Sequence, residues 1–193
     1  YHIDPAQLND MLDGQMADVA GAVYNTFDDL YQYCYRVASV VGLVCISVWG
    51  HDGHPDIPKL AEQRGIALQL TNILRDVVED GQLGRVYLPR QDFEHFGYDP
   101  ADLLTGKADD AFENLMRRQI ERAREYYQLS ATLEQHIDPT CRAACRVITR
   151  IYADLLGRIA RRPAAVLEGR VRLSTPHKLA IVARAGITRF FES

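Results

Sequence analysis

Apolar residues recur at the 3.6-residue helical period through most of this 193-residue chain, whereas the alternation of a half-buried strand is nearly absent. A chain patterned this way must bury its apolar stripes helix against helix. The pattern predicts helices from about Pro5 to Val23, Thr26 to Trp49, Ile57 to Asp80, Asp110 to Gln135 and Pro139 to Arg161, with a short one after Pro176. Each break has a chemical cause. Asn25-Thr26 offers an N-cap oxygen ahead of Phe27-Asp28-Asp29, whose carboxylates suit the free N–H groups of a first turn. Gly50 to Pro58 packs two Gly and two Pro into nine residues. Gly81 to Pro100 holds three Gly and two Pro, a long irregular stretch of the kind that is functional or mobile in compact domains. The expectation is one all-α domain, a helical bundle.

Composition narrows the partners. Hydrophobic residues make up 47%, enough for a core, and the best apolar run, Val37 to Trp49, falls well short of the roughly 20 residues that span a bilayer. The net charge of −4 hides an asymmetry: residues 141 to 193 hold 11 Arg+Lys against 3 Asp+Glu, leaving 11 against 23 in residues 1 to 140. A pI near 5.9 argues against nucleic acid as a partner. Cys34, Cys45, Cys141 and Cys145 form no CxxC pair and read as reduced thiols.

The segment from Gln69 to Asp80 carries the most chemical information. At about 100° per residue, Gln69, Asn72, Asp76 and Asp80 fall within an arc of roughly 80°. Beside it lies the apolar arc of Ile66, Leu70, Ile73, Leu74 and Val77. Asp76 and Asp80 at i, i+4 repel each other by a few tenths of a kcal/mol unless a cation sits between them. Hard oxygen donors of this kind suit Mg²⁺, held by one or two carboxylates plus substrate phosphates. A metal–diphosphate site and an ordinary acidic helix face both fit the stripe alone. Downstream, Arg85 and Tyr87 sit at i, i+2 in the irregular stretch, so an extended backbone projects both to one side. Upstream, Ala38, Ser39 and Gly42 leave room beside their helix for another backbone or for a long apolar ligand.

Taken in order, these segments resemble the squalene/phytoene synthase family. The resemblance rests on Met11-Leu12-Asp13-Gly14 with Asp18, the run Tyr24 to Tyr31, and Tyr33 to Gly42. It continues through Ala67 to Asp80 and Gly84-Arg85-Val86-Tyr87-Leu88-Pro89, to Arg170-Val171-Arg172-Leu173 and Lys178-Leu179. It implies an isoprenoid-synthase helical bundle around a central prenyl cavity, with Gln69, Asn72, Asp76 and Asp80 matching the second of two aspartate-rich motifs. The first such motif and its upstream diphosphate-binding elements are not in these 193 residues, so the chain is read as the C-terminal portion of one such domain.

The implied activity is head-to-head condensation of two allylic prenyl diphosphates through a cyclopropylcarbinyl diphosphate. Asp76, Asp80 and Asn72 would hold Mg²⁺, with Mn²⁺ as a substitute, and Gln69 would bind metal or diphosphate. Arg75, Arg85 and Tyr87 would contact the anion, while Tyr33 or Tyr35 would be the phenol near the reacting carbons. Val37, Ser39, Val41, Gly42 and Val44 would line the prenyl channel. Ser39, with Val48-Trp49-Gly50, resembles presqualene diphosphate or squalene synthases acting on farnesyl diphosphate; the alternative is a phytoene synthase using geranylgeranyl diphosphate. A catalytically inactive assembly factor on the same fold is the alternative of another class. No GxGxxG fingerprint is present, which leaves NADPH open. The expected location is the cytoplasm, with the basic C-terminal region either in peripheral contact with the inner membrane face or paired with the acidic half. The oligomeric state has no signature in the sequence.

Overall fold

The computed structural model describes residues 3–192, with side chains through residue 186. The chain folds as α1 (Pro5–Ala20), α2 (Phe27–Cys34), a π-helical turn (Tyr35–Ser39), α3 (Val40–Trp49), α4 (Ile57–Gln82), α5 (Arg90–Phe96), α6 (Asp102–Thr105), α7 (Asp110–Leu129), α8 (Leu133–His136), α9 (Pro139–Arg161), α10 (Ala165–Glu168) and α11 (Thr175–Glu192). Among the described residues the only β pairing outside helices is the isolated bridge His51–Ile137. The all-α expectation therefore holds.

Local chemistry sets the ends. The Thr26 side chain accepts from the Asp29 N–H at 3.2 Å, and the Asp29 carboxylate accepts from the Thr26 N–H at 2.9 Å, a reciprocal cap that starts α2. Asp109 and Asp138 cap α7 and α9 one way only, their side chains accepting from the Phe112 and Thr140 N–H groups. Several expected boundaries move: α1 stops at Ala20, where Gly21 caps it, and the short helix expected after Pro176 is the 18-residue α11. The helix expected from Asp110 to Gln135 breaks at Ser130, whose buried hydroxyl donates to the Tyr126 carbonyl at 2.8 Å and accepts from Arg64. The irregular stretch after Gly81 gives up Arg90–Phe96 to a short helix opened by Pro89.

Phe27 to Trp49 is helical throughout, as expected, but carries a π-turn in its middle. At 23 residues it is long and apolar enough to cross a membrane by length and composition, contrary to the expectation from the sequence; here it packs against α1 and α4.

The 26-residue α4 is the axis of the bundle, contacting the π-turn, α3, α7, α9 and α10. Its apolar arc of Ile66, Leu70, Ile73, Leu74 and Val77 is buried in the main core with Phe112, Leu115, Met116 and Leu156. A smaller cluster of Ile46, Ile57, Leu60, Leu133, Ile137 and Cys145 closes the other end. The crossing of α4 with the π-turn is as close as backbones allow, since a Cβ on Gly65 would lie 2.4 Å from Ser39 Cα. Ser39 is fully buried and donates to the Glu62 carbonyl at 2.7 Å. Gly65→Ala should therefore lower unfolding free energy by about 3 kcal/mol or more, read as the shift in a urea midpoint, because the contact atoms are backbone that cannot yield.

Candidate active site at the mouth of an apolar cavity

Between α3, α4, α8 and α9 lies a cavity of about 270 Å³, walled by Val37, Val41, Gly42, Cys45, Trp49 and Leu68 among others. Gln69 and Asn72 sit on its wall, so the first half of the polar stripe faces an apolar chamber rather than solvent. Of the residues expected to line the channel, Val37, Val41 and Gly42 do so. Ser39 and Val44 are absent from the wall; Ser39 took the other option open to a small residue and seated the backbone of α4. Arg64 lines the chamber, yet its guanidinium is spent on Ser130, Glu134 and Thr149.

The rest of the stripe is ionic. Asp76 is held by Arg75 and by Arg170, whose Nε lies 2.9 Å from Asp76 Oδ1. Arg170 also approaches Glu79 at 3.6 Å. Arg75, Arg170, Arg172 and Lys178 converge on a cleft of about 390 Å³, and Tyr152 is the wall shared by this cleft and the apolar cavity. Arg75 stands in this basic cleft, with its guanidinium neutralising its neighbour Asp76. The sequence places Arg170, Arg172 and Lys178 only in the basic C-terminal region, facing a membrane or paired with the acidic half, although they lie in runs that carry the family resemblance.

Asp80, one turn beyond Asp76, is the less compensated of the two carboxyls of the stripe. Burial and the nearby Asp76 charge push its pKa up to about 6, with Arg85 pulling the other way. Arg85 and Tyr87 line one small crevice with Asp80, together with their neighbours Val86 and Leu88. This arm is pinned where the Arg90 and Gln91 N–H groups donate to the Tyr24 and Asn25 carbonyls, each at 3.0 Å.

The two candidate phenols separate. Tyr33 is buried and donates to Asp18 at 3.1 Å, beside Tyr87. Burial, the Tyr87 phenol and the Asp18 charge keep Tyr33 protonated far above the usual phenol range. Tyr35 begins the π-turn, and its nearest charges are Asp10, Glu62 and Asp4, away from Asp76 and Asp80. Asp18 was quoted in a motif but given no role; its signal was the glycine one turn earlier.

The donor set suits a divalent cation bound partly through phosphate. Among the described residues no three His, Cys, Asp or Glu side chains converge on one point. Instead there are two carboxylates a turn apart and one orphan: Asn72 Oδ1 is buried with no hydrogen-bond partner, while its Nδ2 donates only weakly, at 3.5 Å, to Gln69 Oε1. An unpaired amide oxygen is a costly feature unless something electropositive meets it.

A helical bundle that surrounds an apolar chamber walled in part by two amides, with carboxylates further along the same helix and guanidinium groups in the adjoining cleft, has the architecture of an isoprenoid synthase. The chain belongs to the squalene/phytoene synthase family, whose profile matches residues 1–177. It is 40% identical over 191 residues to a phytoene synthase of Arthrospira platensis, covering 93% of this chain and 62% of that protein. It is 36% identical over 188 residues to a phytoene synthase of Mycobacterium tuberculosis, covering 96% and 62%. The crystal structure of a dehydrosqualene synthase in complex with ligand superposes with a TM-score of 0.86 at 31% identity, over 96% of this chain and 65% of that one. A squalene synthase from Alicyclobacillus acidocaldarius gives 0.76 at 25% identity, over 83% and 60%. The chain thus spans about three-fifths of the length of these curated relatives.

Proposed function

We propose that the protein carrying this chain condenses two allylic prenyl diphosphates head to head, through a cyclopropylcarbinyl diphosphate. The observation that carries this reading is the orphaned Asn72 oxygen on the wall of the apolar chamber, at the join between a tail-sized cavity and a carboxylate–guanidinium rim. Asn72, Asp76 and Asp80, with Gln69 beside them, would hold Mg²⁺ or Mn²⁺. The cation supplies charge stabilisation for the departing diphosphate. Arg75, Arg170, Arg172 and Lys178 bind the phosphate oxygens from the adjoining cleft, Arg75 and Arg170 releasing Asp76 as they do so. The apolar walls exclude the water that would quench an allylic cation, and Tyr33 presents its phenol to the reacting carbons. Incubation of the full-length protein with Mg²⁺ and farnesyl or geranylgeranyl diphosphate, followed by lipid analysis, tests this. Release of diphosphate with neither substrate would sink the reading and favour the inactive assembly factor.

Two observations bear on chain length. Trp49 walls the end of the cavity remote from Asn72, which favours the shorter farnesyl chain. The named relatives favour geranylgeranyl diphosphate: the phytoene synthases are 36–40% identical, against 25–31% for the squalene-type structures. With Ser39 turned from the cavity, one of the two sequence arguments for farnesyl is gone, and the C20 substrate is the reading adopted. Trp49→Leu, which keeps an apolar contact while deepening the chamber, should raise the ratio of C20 to C15 turnover about tenfold, since pocket contacts of one or two carbons are worth roughly 1–3 kcal/mol. An unchanged product ratio would remove Trp49 from chain-length control.

Membrane contact belongs to the same proposal. The exposed Leu179 and Val182 stand on α11 beside Lys178, but Arg150, Arg162 and Arg170 are engaged by Asp154, Glu168 and Asp76. Salt-sensitive binding to anionic vesicles would support the contact, and no binding at low salt would remove it.

A further inference from the structure

Helix α1 can lie against the π-turn only because residue 14 has no side chain: a Cβ there would stand 2.7 Å from Val37 Cγ1 and 3.0 Å from Arg36 Cβ. One turn further along α1, on the same face, is Asp18, and one turn back from Val37 on the antiparallel partner is Tyr33. The close approach at Gly14 therefore delivers a carboxylate to a phenol. Tyr33 Oη donates to Asp18 Oδ2 at 3.1 Å, and Tyr87 Oη, from the arm after α4, donates to Oδ1 at 2.9 Å. The two rings stack at 5.0 Å and 23°, with Tyr24 packed on both at 5.2 and 5.9 Å. Tyr87 also shares its crevice with Asp80 and Arg85, which puts this group beside the carboxylate end of the stripe.

We infer that Asp18 is a positioning residue for the proposed condensation: it takes both phenolic protons and so leaves the Tyr33 and Tyr87 oxygens as acceptors toward the reacting carbons. The inference rests on the head-to-head reading. A phenol whose proton is already committed offers lone pairs to a developing cation, whereas a free phenol can turn its O–H the other way and lose that attraction. Asp18→Asn keeps the shape but donates to one phenol oxygen, which reverses one hydrogen bond.

In the full-length protein, Asp18→Asn should lower kcat about 100-fold with KM changed less than about threefold. Tyr33→Phe should lose a similar amount, and the double variant no more than about threefold beyond the worse single, because the two residues act as one unit. Multiplicative losses, a D18N kcat within threefold of wild type, or loss of helical circular dichroism in D18N would each overturn the inference, the last by assigning Asp18 a purely structural role. NMR of protein labelled with ¹³C at tyrosine Cζ gives a readout independent of turnover. D18N should move the Tyr33 and Tyr87 resonances and leave that of Tyr98, whose phenol donates to the Lys107 carbonyl at 2.8 Å. If wild type turns over neither prenyl diphosphate, the head-to-head reading falls and the catalytic role of Asp18 with it. Unmoved Tyr33 and Tyr87 resonances in an active enzyme would overturn the positioning role alone.

Discussion

Replacing Asp76 and Asp80 together by Asn is expected to abolish diphosphate release, by at least about 10³-fold, while helical circular dichroism stays unchanged. The two carboxylates lie one turn apart on α4, one and two turns beyond the cavity-lining Asn72, and neither belongs to the buried core. The single change Asp80→Asn separates function from stability. The folded-state pKa of Asp80, about 6, lies above its unfolded value, so its contribution to stability is greatest when protonated and is lost as pH rises through 6. At pH 7 its charge therefore works against folding, by about 1 kcal/mol once solvent screening of a half-buried group is allowed for. Metal-free Asp80→Asn protein should accordingly melt slightly higher than wild type at pH 7, with the difference shrinking through pH 6 and gone only below pH 3.8. Protons also compete with the cation for Asp80, so Mg²⁺ affinity measured by calorimetry should fall as pH drops through 6. A double variant that retained turnover, or a metal-free Asp80→Asn that melted lower at pH 7, would show that the stripe is not built around a cation.

Asp92→Leu is expected to cost 3–5 kcal/mol, as large a stability effect as any single side chain here can produce. Asp92 and Arg122 are 6% and 7% exposed. Both Arg122 terminal nitrogens donate to Asp92, Gln119 Nε2 adds a bond at 2.8 Å, and the guanidinium carbon stands 4.5 Å over the Phe27 ring. Removing the carboxylate alone strands a buried cation. The double variant Asp92→Leu/Arg122→Met removes both charges and should recover to within about 1–2 kcal/mol of wild type, read from urea midpoints at constant slope. A single variant as stable as wild type would mean that Arg122 reaches water. The pair ties α5 to α7, and α5 directly follows the arm that carries Arg85 and Tyr87. Loss of Asp92 should therefore slacken the site as well as the core.

That ion pair had no signature in the sequence, because Asp92 and Arg122 are 30 residues apart and each reads as an ordinary surface charge. The same holds for Arg64, Ser130 and Glu134, whose network broke the expected helix from Asp110 to Gln135. What periodicity could report was local. It gave five of the long helices but not the length of α11, and it gave the buried arc of α4 and the common face of Gln69, Asn72, Asp76 and Asp80, since side chains three and four residues apart on a helix share a direction whatever surrounds them.

The sequence by itself determined that the chain is helical, where most of its helices break, and which polar side chains share a face of α4. Only the tertiary structure decided what that face meets. It put Gln69 and Asn72 on the wall of an apolar cavity, gave Asp76 to Arg75 and Arg170, and left Asp80 with a raised pKa. It gave a carboxylate partner to Tyr33 and not to Tyr35, because the close approach at Gly14 brings Asp18 to one phenol and not the other. Ser39 became a backbone seat rather than a cavity wall for the same reason, the proximity of Gly65. Direction along one helix is fixed by local geometry, but charge compensation, desolvation and orphaned oxygens depend on residues distant in sequence, and packing alone brings those together.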